Sequence, residues 1–299
     1  MSESSLLPGG IYPPLPTFFD ARQELDLLTL RRHIQQLAGT GLAGYVLMGT
    51  NGEAVHLSPA ERIQVLEVAR EAAGDRTLLL AGCAEQSTRA TIENCRVAAR
   101  AGANLALVLP PSYFKGRMNE QALLAHYRAI ADASPLPVVV YNMPASAAGL
   151  DLTAATLCTL AEHGHIIGVK DSAGDMAKLA QVVGQAPQGF AVFAGSAGYL
   201  LPALAVGARG AVAALANVFP RQVCRLQELF EQGHMAQAQR LQALLAPANT
   251  AVTTLYSVAG LKAALEIVVG YGGPVRSPLQ PLGAAERRRL AEILSAVTA

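Results

Sequence analysis

The chain reads as one α/β unit: a (β/α)8 barrel of the TIM type followed by a C-terminal three-helix extension. Three observations predict it. Short apolar runs alternate with longer amphipathic stretches, and eight such pairs fit the first ~230 residues, at the ~30 residues that one βα unit needs. The runs are nearly continuous in Val, Ile, Leu and Ala, as expected of strands buried on both faces of a parallel sheet. Eight units in succession favour a closed barrel over an open, doubly wound sheet.

The predicted strands cover residues 12–18, 44–48, 77–82, 104–109, 137–141, 166–170, 190–194 and 210–215. Helices are predicted between them at 26–38, 59–73, 87–101, 120–133, 152–163, 175–185, 198–206 and 220–232. The second helix has the firmest start, Ser58-Pro59-Ala60-Glu61: serine as N-cap, proline in the first turn, and a glutamate reaching back to the cap. Gly102 and Gly207 each stand between a helix and the next strand, the usual place for a helix-ending glycine. Residues 1–232 are expected to form the barrel, and residues 233–299, helical in period and without a convincing strand, the extension.

Composition narrows the function. With 23 Lys+Arg against 22 Asp+Glu the net charge is +1, so no basic surplus points to nucleic acid or an anionic membrane. The Arg287-Arg288-Arg289 run lies between Glu286 and Glu292 and reads as a solvated helix face. Cys83, Cys95, Cys158 and Cys224 form no CxxC pair, so reduced thiols in a reducing compartment are expected. No apolar run approaches the ~18 residues of a membrane span, and residues 1–10 carry no targeting pattern; a cytoplasmic protein is expected.

Barrel enzymes gather their chemistry where the strands end. Of four lysines, Lys115 lies in a polar loop and Lys262 in the helical tail, where a structural role is expected. Lys178, three residues after Asp175, suits an exposed ion pair. Lys170 alone terminates an apolar strand, Ile166-Ile167-Gly168-Val169, and is expected to face the barrel mouth. A buried lysine is costly unless neutral or paired. Position alone therefore serves two readings equally, a neutral amine that attacks a carbonyl and an ion pair with a carboxylate such as Asp171 or Glu53. Tyr141 ends the neighbouring strand and is placed to move protons near that amine, although a core tyrosine would look the same. Gly49-Thr50-Asn51-Gly52-Glu53 offers free N–H groups and short polar side chains to a carboxylate, with Glu53 read as a group that fixes the loop rather than as a base. Of the histidines, only His163 and His165 are close in sequence, and they precede the sixth strand, at the wrong end for the mouth. Three converging metal ligands are not offered, nor is a dinucleotide or P-loop fingerprint; no metal and no cofactor are expected.

Together the stretches Gly49 to Glu53 (GTNGE), Pro110 to Phe114 (PPSYF), Tyr141 to Pro144 (YNMP), Gly168 to Ser172 (GVKDS) and Ala194 to Gly198 (AGSAG) resemble the dihydrodipicolinate synthase/N-acetylneuraminate lyase family of pyruvate-dependent class I aldolases. The resemblance runs from about Gly9 to Leu282. It implies that Lys170 forms a Schiff base with a 2-oxo acid and that Tyr141 carries its protons. Thr50 and Asn51 would hold the carboxylate, Tyr113 would enter a neighbouring subunit's site, and Ser172, Gly195 and the backbone at Val212 would line the pocket. It also implies a homotetramer built as a dimer of dimers.

Within the family, synthases carry an arginine shortly after the YNxP motif for a second carboxylate. Here Ala145-Ser146-Ala147-Ala148-Gly149 follows Pro144, so that contact is missing. Asn51, the stretch Tyr113 to Met118, and Tyr271-Gly272-Gly273-Pro274 resemble instead the 4-hydroxy-2-oxoglutarate aldolase branch, which releases pyruvate and glyoxylate. The expected reaction is that cleavage; condensation of pyruvate with aspartate semialdehyde is the alternative, with a sugar-acid aldolase or dehydratase and a catalytically silent barrel as weaker ones.

Overall fold

A computed structural model describes residues 7–298; residues 1–6 and 299 lie outside it. Among the described residues eight parallel strands form the barrel: β1 (Gly10–Tyr12), β2 (Gly44–Leu47), β3 (Leu78–Gly82), β4 (Leu105–Val108), β5 (Val138–Asn142), β6 (Ile166–Asp171), β7 (Ala191–Ala194) and β8 (Gly210–Val212). They are ordered β1-β8-β7-β6-β5-β4-β3-β2. The seam between β1 and β2 is closed by Leu15 N–H donating to the Val46 carbonyl at 2.8 Å and Val46 N–H donating to that of Pro13 at 3.0 Å. The fold is thus the predicted (β/α)8 barrel.

The first strand is displaced from its predicted 12–18. Pro13, Pro14 and Pro16 follow Tyr12 and have no N–H to give a ladder, so regular pairing stops there and only a bridge, Pro14 to Val46, continues. The eighth strand ends at Val212, and its predicted continuation is a 3-10 turn, Ala214–Asn217.

Outside the strands lie α1 (Leu27–Leu37), α2 (Pro59–Ala73), α3 (Thr88–Arg100), α4 (Glu120–Ala133), α5 (Ala154–Ala161), α6 (Met176–Gln185), α7 (Leu200–Ala205) and α8 (Pro220–Glu231). The Ser58 hydroxyl accepts from Glu61 N–H, and the Glu61 carboxylate accepts from Ser58 N–H. That is the predicted capping box. The tail forms α9 (Met235–Thr250), α10 (Ser257–Val269) and α11 (Ala284–Thr298), with a π-helical turn, Ala251–Leu255, joining the first two. No helix among the described residues is long and apolar enough to cross a membrane.

Period-two alternation sorts the strand side chains into two cores. Tyr12, Val46, Leu80, Leu107, Val139, Tyr141, Phe193 and Val212 fill the barrel interior. Ile11, Leu47, Ala81, Val108, Val140, Val169 and Ala194 face the helical layer. Leu245, Ala248, Leu261 and Leu265 of the tail join that outer core, so the extension packs on the barrel through the same apolar layer.

Candidate active site

The strand ends converge on a cavity of about 460 Å³ that Thr50, Asn51, Tyr141, Lys170, Ser172 and Gly195 all line. Six of the eight residues expected at the site therefore meet. Lys170 is 4% exposed. It pairs in register with Tyr141 on β5 and with Phe193 on β7, and its Nζ stands 3.8 Å from the centroid of the Tyr141 ring.

The two carboxylates considered as partners for Lys170 are engaged elsewhere. The Asp171 carboxylate accepts from Asn142 Nδ2 at 2.7 Å and lies 3.0 Å from Lys178 Nζ. Glu53 accepts from Lys262 Nζ at 2.6 Å. Among the described residues no acid pairs with Lys170. Lys178 departs from its expected exposed pair: it is buried and bonded to Asp151 and Asp171, while Asp175 accepts only its backbone N–H, as the cap of α6. Distant elements supply its partners, which sequence spacing does not reveal.

The Tyr141 hydroxyl lies 3.3 Å from Thr50 Oγ1 and donates to Met143 Sδ at 2.6 Å. Thr50 opens a 3-10 turn, Thr50–Gly52, that follows β2. Glu53 closes this turn with a positive φ of 51° and is buried, in keeping with a loop-fixing group. Gly195 N–H donates to the Asp171 carbonyl at 2.7 Å. A Cβ on Gly195 would fall 1.8 Å from Ser172 Oγ, so only glycine lets β6 and β7 deliver both residues to one wall. Ser172 Oγ is buried and has no hydrogen-bond partner among the described residues; it is an open polar atom at the cavity.

The other two expected residues lie apart. Val212 packs inside the barrel, and the wall beyond β8 is made by Ala214 instead. Tyr113 is 80% exposed and stacks edge-on against Phe114 at 5.1 Å, outside the cavity lining of its own chain.

Residues not foreseen complete the cavity. Tyr199 lines it and donates to the Asp171 carbonyl at 2.9 Å; burial, reinforced by Asp171, pushes its hydroxyl well above the ordinary tyrosine range. Thr253 and Thr254 from the π-helical turn, and Ser257 at the start of α10, form the far wall. Ser257 holds a positive φ of 51°, and π-helical turns recur at functional sites. His163 and His165 bond to Asp132 and to the Ser134 carbonyl, at the strand entrances. No cluster of three metal-ligating side chains occurs among the described residues.

An amine at the mouth of a parallel barrel, beside a phenol and a polar turn, lines a cavity of a size for a small molecule. The chain belongs to the dihydrodipicolinate synthetase family, whose sequence profile matches residues 7–297. It is 40% identical over 299 residues to a probable mitochondrial 4-hydroxy-2-oxoglutarate aldolase of Emericella nidulans, covering 99% of this chain and 96% of that one. It is 41% identical to an L-threo-3-deoxy-hexylosonate aldolase of Hypocrea jecorina, over 92% and 91% of the two chains. Among solved structures it is similar to YagE, a prophage protein of the dihydrodipicolinic acid synthase family from E. coli K12 in complex with pyruvate. That match has 29% identity, a TM-score of 0.90, and coverage of 97% and 98%. The chain is an aldolase of this family, a carbon–carbon lyase.

Proposed function

We propose that the enzyme cleaves 4-hydroxy-2-oxoglutarate to pyruvate and glyoxylate through a Schiff base on Lys170. The observation that carries this reading is a buried amine, against the Tyr141 ring, that no acid among the described residues pairs with and that opens on a cavity. The Emericella relative bears the name of that activity, and pyruvate sits in the E. coli structure.

In the reaction, Lys170 adds to the C2 carbonyl of the 2-oxo acid, and water leaves as Tyr141 passes a proton to the departing oxygen. Thr50 and Asn51 hold the carboxylate. The protonated imine draws in the electrons of the C3–C4 bond as the C4 hydroxyl gives up its proton. Glyoxylate departs and an enamine remains. Protonation at C3 restores the imine, and water releases pyruvate and the free amine. Every step uses groups of the chain, the substrate or solvent.

A second reading has its own support. The far wall carries the hydroxyls of Ser196, Tyr199, Thr253, Thr254 and Ser257 and no arginine, which suits a hydroxylated aldehyde as in a 3-deoxy sugar acid, the substrate class in the Hypocrea relative's name. The missing arginine leaves a second carboxylate, on aspartate semialdehyde or on the glyoxylate half of 4-hydroxy-2-oxoglutarate alike, without a charged partner in this wall. Borohydride added with pyruvate should fix a reduced adduct on the Lys170 peptide and abolish turnover. An unmodified Lys170 peptide would refute the imine. Initial rates on the two substrate classes then choose between the readings.

Two companion proposals accompany this reading. We propose a cytosolic enzyme, in keeping with four free thiols, although the Emericella relative is named mitochondrial. We also propose a tetramer in which Tyr113 reaches a neighbouring subunit, consistent with the exposed Tyr113–Phe114 pair.

A further inference from the structure

The turn that presents Thr50 and Asn51 is gripped by the C-terminal extension. Glu53, two residues beyond Asn51, has a side chain only 1% exposed, and so has Lys262 on α10. One carboxylate oxygen of Glu53 accepts from Lys262 Nζ at 2.6 Å. The other accepts from the Arg276 backbone N–H at 2.9 Å and lies 3.2 Å from His56 Nδ1. Lys262 Nζ also donates to the Pro274 carbonyl at 2.7 Å. The Phe19 ring lies beneath both cations, 4.4 Å from Lys262 Nζ and 4.2 Å from Arg276 Cζ.

Arg276 then spreads across three elements. Its guanidinium donates to the His56 carbonyl, the Gln23 carbonyl and the Glu61 carboxylate. The chain before the turn is tied as well, since Thr17 Oγ1 donates to the Gly52 carbonyl at 2.7 Å. A fully buried ion pair contributes little net stability compared with apolar side chains of the same volume. What it does supply is direction: each oxygen of Glu53 has its own donors, so the carboxylate and the strained backbone that carries it have one position.

We propose that Lys262, acting through Glu53, is a positioning residue for the 2-oxo acid carboxylate, so that the C-terminal extension is a working part of the active site. The inference rests on the reading that Thr50 and Asn51 bind that carboxylate. Without Lys262 the Glu53 carboxylate is left buried beside fewer donors. It must turn toward water or protonate, and the turn moves with it. Lys170 and Tyr141 stand on β6 and β5. Among the described residues the turn bonds to them only through the 3.3 Å contact of Thr50 Oγ1 with the Tyr141 hydroxyl, so the main loss falls on binding rather than on bond breaking in the bound complex. The signature is weaker ground-state binding with turnover at saturation retained.

The test compares Lys262→Met, Lys262→Arg and the neutral pair Glu53→Gln/Lys262→Met in the full-length enzyme. Circular dichroism establishes folding; if Lys262→Met fails to fold, the neutral pair, which leaves no buried lone charge, carries the same test. The readouts are KM and kcat for 4-hydroxy-2-oxoglutarate, and the pyruvate concentration giving half-maximal borohydride trapping on Lys170. KM and the trapping midpoint should both rise ~10-fold, about the loss of one charge-assisted hydrogen bond, with kcat within ~3-fold, and Lys262→Arg should recover part of the loss. A folded variant with unchanged KM and trapping midpoint, or one that loses only kcat, overturns the proposal while leaving the imine intact. A wild-type enzyme that traps no pyruvate overturns the imine reading and, with it, this one.

Discussion

Acid should unfold this protein partly through one histidine, His33. It is 1% exposed and packs edge-on against Phe18 and Tyr271 at 5.4 and 5.7 Å. Asn217 Nδ2 donates to the carbonyls of Pro14 and Ala214, which turns its Oδ1 toward His33 Nε2 at 3.1 Å and puts the imidazole proton there. Nδ1 faces the Tyr271 hydroxyl at 2.9 Å. Burial lowers the pKa of His33 from 6.5 to about 4, against a smaller opposing effect of Asn217.

The sign follows from linkage. Between those two values the unfolded chain binds a proton that the folded chain refuses, so stability is full above pH 6.5 and is lost as pH falls toward 4. At about 1.4 kcal/mol per pH unit the whole loss is roughly 3 kcal/mol, of which roughly 2 is gone by about pH 4.5. Guanidinium unfolding at about pH 7 and about pH 4.5 measures it, with His33→Gln as the control. Glutamine can donate to Asn217 but has no proton to gain. The drop in unfolding free energy between the two pH values should be about 2 kcal/mol smaller in the variant. His126, also lowered to about 4 by burial, and Glu61, held at about 2 chiefly by Arg276, titrate in both proteins and cancel. Equal pH dependence in wild type and variant would refute the reasoning.

Two further outcomes are expected at the site. Tyr141→Phe should lower kcat by ~10²–10⁴, the range for a positioned acid–base group, with pyruvate still trapped on Lys170 at high concentration; unchanged kinetics would remove Tyr141 from the proton path. Gly195→Ala should cost ~10²-fold in kcat/KM, because its Cβ falls 1.8 Å from Ser172 Oγ and must displace it. Wild-type activity in that variant would mean that Ser172 has no part in holding the substrate.

How far the sequence discloses this site depends on how local each feature is. The capping box at Ser58 and the apolar run ending at Lys170 are short-range patterns, and both appear in the structure where the residues predict them. The partners of Lys178 are Asp151 and Asp171, brought from a loop and a strand, so helix spacing points to the wrong pair. The far wall is more distant still. Thr253, Thr254 and Ser257 sit in a tail whose periodicity is simply helical, and only docking of that tail over the barrel mouth turns them into lining. Asn142 is likewise a motif residue whose task emerges in three dimensions: it is fully buried and bridges Asp151 and Asp171 behind the cavity.

The inward aim of Lys170 is itself not a consequence of simple alternation. Ile166 belongs to the outer core, so counting in twos along β6 would send Lys170 outward with it. The β5–β6 register slips by one residue: Val138 pairs with Ile166, but Val139 pairs with Gly168. Such a bulge reverses every side chain beyond it. Ile167 packs against the interior core as alternation from Ile166 requires, but beyond it Val169 returns to the outer core, and Lys170 comes to lie beside Tyr141 and Phe193, which both face in. Gly168 follows the extra residue, where a Cβ would meet the Ala191 carbonyl oxygen at 2.5 Å. Removing Ile167 would make Ile166 and Gly168 neighbours, so plain alternation counted from Ile166 would bring Lys170 to the same inward position opposite Tyr141. Such a deletion should therefore retain trapping of pyruvate on Lys170 in protein that keeps its helical circular dichroism; loss of trapping in folded protein would refute this account of how the register aims the amine.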